Sequence, residues 1–134
     1  MINGILWVKL TKEARNALLE LCPAKHEKTV ADHVTLLYNV SFVSIPDELF
    51  GSKVGIKLKQ EKWDSQIQAV GVELPQNIAH MVKNAHITIS SKQGVPPVRS
   101  GQLFGSEMVE ARSLTGDIEI EGFIEFFEFK QRAN

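Results

Sequence analysis

Hydrophobic and polar residues alternate along most of the chain, and a period of two predicts β-strands. The alternation is clearest in residues 53–59 (KVGIKLK), where Val54, Ile56 and Leu58 share one face. Runs rich in branched or aromatic side chains predict further strands at residues 4–10, 33–38, 65–74 and 86–90. The chain is therefore expected to be dominated by strands.

One segment has helical spacing instead. Ala14, Leu18 and Leu21 recur at intervals of three and four, as on one face of an α-helix. Thr11 stands just before this segment and is a residue type preferred as an N-cap, and Pro23 ends the segment. The sequence predicts a single long helix here, so the fold class is α+β.

The remaining segments predict a long loop and two C-terminal strands. Residues 91–105 are rich in Gly, Pro and Ser and predict a long loop. Residues 112–130 predict two strands, a hairpin broken near Gly122. A length of 134 residues suits one domain, residues 1–134.

A short pattern occurs twice. The apolar run ILWVKL leads through the predicted helix to HVTLL, and the run IQAVGVEL leads through a shorter connector to HITIS. Each unit thus supplies an apolar strand followed by a strand that begins with histidine. Two such units facing each other predict a two-lobed fold with a pseudo-two-fold axis between the histidines.

Composition limits the range of functions. The net charge is −1, so no global basic field exists to hold long double-stranded nucleic acid. A small or locally bound anionic substrate remains open. Lys9 interrupts the first apolar run, so we expect no membrane span and a cytoplasmic protein, with the nucleus not excluded. The oligomeric state is left open.

The repeated motif places titratable and hydroxyl side chains together. In a strand, residues i and i+2 point to the same face, so His33 projects with Thr35, and His86 projects with Thr88. Histidine titrates near neutrality, and a pair can supply the base and the acid that phosphodiester hydrolysis needs. Threonine hydroxyls can donate hydrogen bonds to the nonbridging phosphate oxygens. This chemistry needs neither a metal ion nor another cofactor.

Two other interpretations compete with a phosphodiester site. A strand histidine is often a half-buried structural residue, and each motif alone would favour that interpretation. A metal site is the second competitor, but the four histidines show no close ligand spacing and no Cys or carboxylate cluster joins them. We predict catalysis by the histidine pair, with His86 as general base and His33 as general acid, although the sequence does not fix which histidine has which role.

Four further residues are candidate substrate contacts. Tyr38 can stack on a base. Ser90 follows His86 by an even number of positions and is expected on the same face. Lys92 and Arg99 lie in the predicted loop after the second motif, where a lid over a cleft would sit.

The segments HVTL and HITI resemble the paired HxTx signatures of the two-histidine (2H) phosphoesterase superfamily. The run HITISSKQGVPPVRSGQL is most similar to the cyclic phosphodiesterase domain of tRNA ligases, which carries a comparable proline-containing loop. Only His33, Thr35, His86 and Thr88 carry over residue by residue. The chain departs from a complete tRNA ligase by lacking the kinase and ligase modules.

The resemblance implies a two-lobed 2H phosphoesterase fold, with antiparallel sheets around a central cleft. It also implies hydrolysis of a 2′,3′-cyclic phosphate or a related 2′-5′ linkage in a nucleotide or an RNA end. Two alternatives stay open. One is a hydrolase of cyclic oligonucleotide signals, and the other is a non-catalytic module that binds a nucleotide or an RNA end.

Overall fold

The computed structural model describes residues 2–105 and 109–129, which form a mostly-β fold with few helices. Its strands are β1 (Asn3–Leu10), β2 (Lys28–Thr29), β3 (His33–Ser41), β4 (Lys53–Trp63), β5 (Ile67–Glu73), β6 (His86–Ser91), β7 (Glu110–Ser113) and β8 (Glu119–Glu128). The α-helices are α1 (Lys12–Leu21) and α2 (Gln76–Ala79). Three 3₁₀ segments cover Phe42–Ser44, Asp47–Leu49 and Pro97–Gly105.

Six strands close into an antiparallel barrel. They follow one another in the order β3, β1, β8, β4, β5 and β6, and β6 pairs back onto β3. One continuous ring of strands therefore stands where the sequence predicted two facing sheets. The two motif strands are neighbours in that ring, and the pseudo-two-fold symmetry of two lobes stays a prediction.

The barrel interior is filled by the buried positions of the alternating strands. The fully buried aliphatic side chains of this core include Leu6, Val8, Val34, Ile56, Val70, Ile87 and Ile89. Each motif strand thus has an apolar face fixed in the core behind its polar face. Close packing of this kind holds a strand to a single register.

Helix α1 matches the prediction. Thr11 is the N-cap, and its hydroxyl accepts a hydrogen bond from the backbone N–H of Ala14 at 3.0 Å. Ala14 and Leu18 are buried against the core, as their spacing predicts. The long helix of the sequence is confirmed in position and in orientation.

The predicted C-terminal hairpin is wrong. β7 and β8 both pair with β4 and not with each other. β8 runs without a break through Gly122, where an added Cβ would lie 2.6 Å from the carbonyl oxygen of Lys9. The glycine marks a close approach of two strands, not a turn. Lys130, at the end of the predicted hairpin, lies outside the described residues.

Candidate active site

The two motif strands present their polar side chains on one surface. β3 and β6 pair antiparallel with Val34 opposite Ile87, and both of these residues are fully buried in the core. The motif histidines and threonines alternate with these core residues, so they point away from the barrel interior. In this antiparallel register each histidine faces the threonine of the other motif. The two histidines therefore lie at opposite corners of a four-residue patch.

These four side chains line one cavity of about 500 Å³. The rest of its wall is formed by Ile5, Val30, Leu36, Tyr38, Val82, Pro97, Val98, Ser100 and Gly101. A mostly apolar cavity with a few polar groups is typical of a small-ligand site. None of these lining residues is a lysine or an arginine, so within this lining only a protonated histidine can carry a positive charge.

A second groove, of about 620 Å³, lies away from the motifs. Its lining residues are aliphatic, aromatic and glycine residues together with Glu125 and Glu128. This lining contains no histidine, cysteine, serine or threonine, and the carboxylate of Glu125 already accepts a hydrogen bond from Trp7. The chemistry therefore places the candidate site in the smaller, histidine-lined cavity, which we call the cleft.

His33 is held on two sides. Its Nδ1 lies 2.9 Å from a carboxylate oxygen of Asp32, which also pairs with the ammonium of Lys9. The imidazole packs against the Trp7 indole with ring centroids 4.1 Å apart. Trp7 in turn donates its Nε1–H to Glu125 at 3.1 Å. Because a carboxylate only accepts, Nδ1 carries a proton, and Nε2 is the nitrogen left for chemistry.

Burial and the neighbouring charges shift the pKa values of His33 and Asp32 in opposite directions. Burial lowers the pKa of His33 below its ordinary value, and the hydrogen bond and charge of Asp32 only partly offset that effect. Burial works against the charge of Asp32 too, but the hydrogen bonds from Lys9 and His33 hold the pKa of Asp32 below its ordinary value. The carboxylate of Asp32 is therefore held in its ionised form behind His33, and burial favours the neutral form of the His33 ring.

His86 has a different environment. Its Nδ1 lies 2.8 Å from the carbonyl oxygen of Asn84, and this acceptor requires a proton on Nδ1. Asn84 adopts a positive φ of 56°, a conformation that asparagine tolerates better than most residues. The Nε2 atom lies 3.0 Å from Oγ of Ser100, and the ring stacks on Phe104. In the neutral ring, Nε2 is therefore the proton acceptor.

The two threonines are not equivalent. Oγ1 of Thr88 lies 2.6 Å from Oγ of Ser100 and 3.3 Å from the carbonyl oxygen of Pro97. Oγ of Ser100 also lies 2.8 Å from that carbonyl oxygen, and Ser100 is fully buried. By contrast, the Thr35 hydroxyl has no hydrogen-bond partner among the described residues, which leaves its proton available to a ligand.

Sequence reasoning missed two residues of this site. Asp32 immediately precedes His33, and a carboxylate beside a candidate catalytic histidine was a usable signal. Ser100 follows Thr88 by 12 positions in the chain, in the 3₁₀ segment Pro97–Gly105 that was predicted as part of a loop. Its role depends on tertiary packing, so the local pattern gave no sign of it.

The candidate substrate contacts divide into two groups. Tyr38 lines the cleft and is 71% exposed. Ser90 is fully buried and donates to Gln68 at 2.6 Å, because a register shift between β5 and β6 breaks the alternation just before it. Lys92 is exposed outside the cleft lining, and Arg99 bonds to the side chain of Gln66. The structure thus places Tyr38 at the site and the other three away from it.

Metal binding and membrane crossing were the two other possibilities that the sequence raised. No group of three or more His, Cys, Asp or Glu side chains in residues 2–105 and 109–129 is arranged to hold a metal ion. Independence from metal stays a prediction. Within the same residues, none of the helices has the length and apolar composition needed to cross a membrane.

Comparisons with known proteins identify the family and the fold of the chain. Residues 3–126 match the family described as fungal tRNA ligase phosphodiesterase domain. A crystal structure of a fungal RNA kinase is similar with a TM-score of 0.66 at 14% identity. That alignment covers 96% of this chain and 46% of the kinase chain, so this chain spans less than half of that protein. The structural likeness shows the fold alone. No curated protein sequence matches the chain.

Proposed function

The chain belongs to the family of fungal tRNA ligase phosphodiesterase domains, and on that premise we propose that it hydrolyses a 2′,3′-cyclic phosphate, or a related 2′-5′ linkage, in a nucleotide or an RNA end. The observation that carries this proposal is the arrangement of two histidines and two threonines around one cleft. The reaction needs no metal ion in this scheme.

The proposed reaction divides the work between the histidines. His86, neutral, is the general base for a water molecule whose oxygen attacks phosphorus. His33, protonated, donates a proton to the ribose oxygen that leaves. Thr35 and Thr88 orient the phosphate and donate to its nonbridging oxygens, where charge develops. The diagonal placement of the histidines suits a displacement in which water enters on one side and the ribose oxygen leaves on the other.

The partners of the two rings support this division. Burial lowers the pKa of His33, and the Asp32 carboxylate partly offsets that effect by stabilising the imidazolium form that a general acid must have. The Asn84 carbonyl at His86 fixes the tautomer in which Nε2 accepts a proton, as a general base requires. Each ring thus has the partner that its proposed role needs.

The charge of the cleft supports a phosphodiester substrate. A cyclic phosphate carries one negative charge, whereas the phosphomonoester product carries nearly two at neutral pH. With no lysine or arginine among the described lining residues, the cleft offers little to hold the second charge. A diester should therefore bind better than its product. Tyr38 at the cleft offers an exposed aromatic ring on which a base can stack.

A substrate panel in EDTA tests the proposal. The panel contains 2′,3′-cyclic mononucleotides, an oligoribonucleotide with a 2′,3′-cyclic phosphate end, a 2′-5′ dinucleotide, and cyclic di- and trinucleotides. We expect turnover of the cyclic phosphates, with the product resolved by the position of its phosphate. Turnover of only the cyclic di- and trinucleotides would instead show a signal hydrolase. Saturable binding without turnover of any member would show a binding module.

A further inference from the structure

A groove of about 470 Å³ lies beside the cleft, and Lys59, Glu73, Val82 and Phe104 are among its lining residues. We call it the side groove. We propose that the side groove is a second subsite, which binds the part of an RNA strand that precedes the terminal nucleotide, with Lys59 contacting the phosphodiester backbone. This inference rests on the proposed function and deepens it, because it gives a place to the part of the substrate that lies outside the cleft.

The side groove and the cleft share their walls. Val82 lines both of them. Asn84 lines the side groove and lies two positions before His86, which lines the cleft. The 3₁₀ segment Pro97–Gly105 lines the cleft with its first residues and the side groove with Phe104, whose ring also stacks on His86. A strand that leaves the cleft past Val82 therefore enters the side groove.

The size and the lining of the side groove suit a nucleoside. A 2′,3′-cyclic phosphate occupies the 3′ end of a strand, so the rest of the RNA continues from the 5′ oxygen of the terminal nucleotide. With about 470 Å³, the side groove is nearly as large as the cleft that takes this terminal nucleotide. It combines apolar surface with side-chain amides, from Val72, Leu74 and Phe104 on one hand and Gln60 and Gln76 on the other. A base has a flat apolar face and hydrogen-bonding edges, which match this mixture.

Charge favours this exit from the cleft over the groove of about 620 Å³. The lining of that larger groove contains Glu125 and Glu128 and no lysine or arginine among the described residues, and it shares no residue with the cleft. The side groove instead supplies Lys59. Lys62 adds a second ammonium 5.3 Å from the centre of the Phe104 ring. A phosphodiester backbone is attracted by ammonium groups and repelled by carboxylates, so the RNA should follow the side groove.

Lys59 is paired with Glu73 in the absence of RNA. Its Nζ lies 3.0 Å from Oε2 of Glu73, and the two side chains are 54% and 58% exposed. The hydrogen bond and the charge of Lys59 lower the pKa of Glu73, so this carboxylate is ionised at neutral pH. An ion pair as exposed as this contributes little to stability, so a phosphate can replace the carboxylate at Lys59. Glu73 therefore competes with the RNA backbone for the same ammonium.

Kinetics on two substrates test the second subsite. Values of kcat/KM in EDTA are measured for a 2′,3′-cyclic mononucleotide and for a trinucleotide that ends in the same cyclic nucleotide. For the wild-type enzyme we expect kcat/KM to be about tenfold higher on the trinucleotide, the effect of a modest base and backbone contact. Lys59→Ala should lose about fivefold on the trinucleotide and less than about twofold on the mononucleotide. On the trinucleotide, its slope of log kcat/KM against log salt should be shallower by about 0.7, which corresponds to one lost phosphate contact on a single strand.

The competing carboxylate gives a second readout with the opposite sign. Glu73→Gln keeps the shape of the side chain and removes its charge, so Lys59 becomes fully available to the backbone. This variant should raise kcat/KM on the trinucleotide by about twofold and leave the mononucleotide within that range. A decrease on the trinucleotide would contradict the competition between Glu73 and the RNA.

Lys53→Ala and Glu121→Gln are the matched controls. Lys53 lies on β4, as Lys59 does, and pairs with Glu121 at 3.2 Å, with side chains 61% and 54% exposed. Both residues lie outside the lining of the side groove. Each control changes the net charge of the protein as much as its partner variant does. Both should keep the wild-type kcat/KM on the two substrates and the wild-type dependence on salt.

The outcomes separate the subsite from the proposed function. Equal kcat/KM of the wild-type enzyme on the two substrates, or equal losses in Lys59→Ala and Lys53→Ala on the trinucleotide, would overturn the subsite, whereas turnover of the mononucleotide would leave the proposed function intact. If neither substrate is hydrolysed, the proposed function fails, and calorimetric binding of the trinucleotide then tests the subsite. Binding about fivefold weaker to Lys59→Ala than to Lys53→Ala supports the subsite, and equal affinities refute it.

Discussion

Replacing Asp32 with Asn changes the charge beside His33 while keeping the shape of the side chain. An asparagine oxygen can still accept from Nδ1 at the position of the carboxylate oxygen, which lies 2.9 Å away. What is lost is the attraction between the carboxylate and the imidazolium. The pKa of His33, already lowered by burial, should fall further, because the Asp32 charge and hydrogen bond act to raise it.

The size of this effect follows from the separation and the exposure of the pair. Two unit charges about 4 Å apart attract by about 1 kcal/mol in water and by about 4 kcal/mol at the dielectric constant typical of a protein surface. The side chains of His33 and Asp32 are 25% and 32% exposed, which places the pair between those limits. A loss of about 2 kcal/mol corresponds to about a 30-fold smaller protonated fraction of His33 at pH values above its pKa.

A pH profile of kcat/KM measures this loss. A general acid works only when protonated, so a lower pKa of His33 moves the alkaline limb of the profile to lower pH. Asp32→Asn should therefore be about 30-fold slower than wild type at pH 8 and should approach wild type in acid. Asp47→Asn is the control, because Asp47 is exposed and lies outside the cleft lining. An unchanged alkaline limb, or a deficit equal at every pH, would refute the assignment of His33 as the acid.

Two further predictions concern the strands that carry the site. Ile87→Ala should lower the free energy of unfolding by about 2–5 kcal/mol in urea denaturation, because this fully buried side chain anchors the second motif; a loss under 1 kcal/mol would contradict that. Gly122→Val should lower the urea midpoint sharply, because its Cβ would meet the Lys9 carbonyl oxygen at 2.6 Å and Val8 Cγ1 at 2.7 Å. Gly105→Ala, where a Cβ meets nothing within 4 Å, should change little, and equal midpoints for both variants would contradict the close approach.

Periodicity in the sequence was enough to predict the strands, the long helix and the outward pairing of the motif side chains. A period of two is a local property, and burial of Val34 and Ile87 confirms the face that it predicted for each motif. Periodicity does not say which strand pairs with which. The closed ring, and the pairing of both C-terminal strands with β4, depend on contacts between segments far apart in the chain.

In the candidate site, too, the features set by local spacing were predicted, and those set by contacts between distant segments were not. The motif residues were found because their spacing is local. Ser90 was misplaced because a register shift between β5 and β6 changes which way it faces, and a period of two carries no record of such a shift. Ser100 was missed because its contacts with His86 and Thr88 join the 3₁₀ segment to β6, and neither segment alone encodes them.

The central claim is that two histidines in one cleft perform acid–base hydrolysis of a cyclic phosphate. The most direct measurement is single-turnover hydrolysis of an oligoribonucleotide ending in a 2′,3′-cyclic phosphate, in EDTA, by wild type, His33→Ala, His86→Ala and the control His80→Ala. His80 lies outside the cleft lining. We expect wild type and His80→Ala to open the cyclic phosphate, and each cleft variant to lose at least about 100-fold in rate while remaining folded. Hydrolysis at the wild-type rate by either cleft variant would contradict the account.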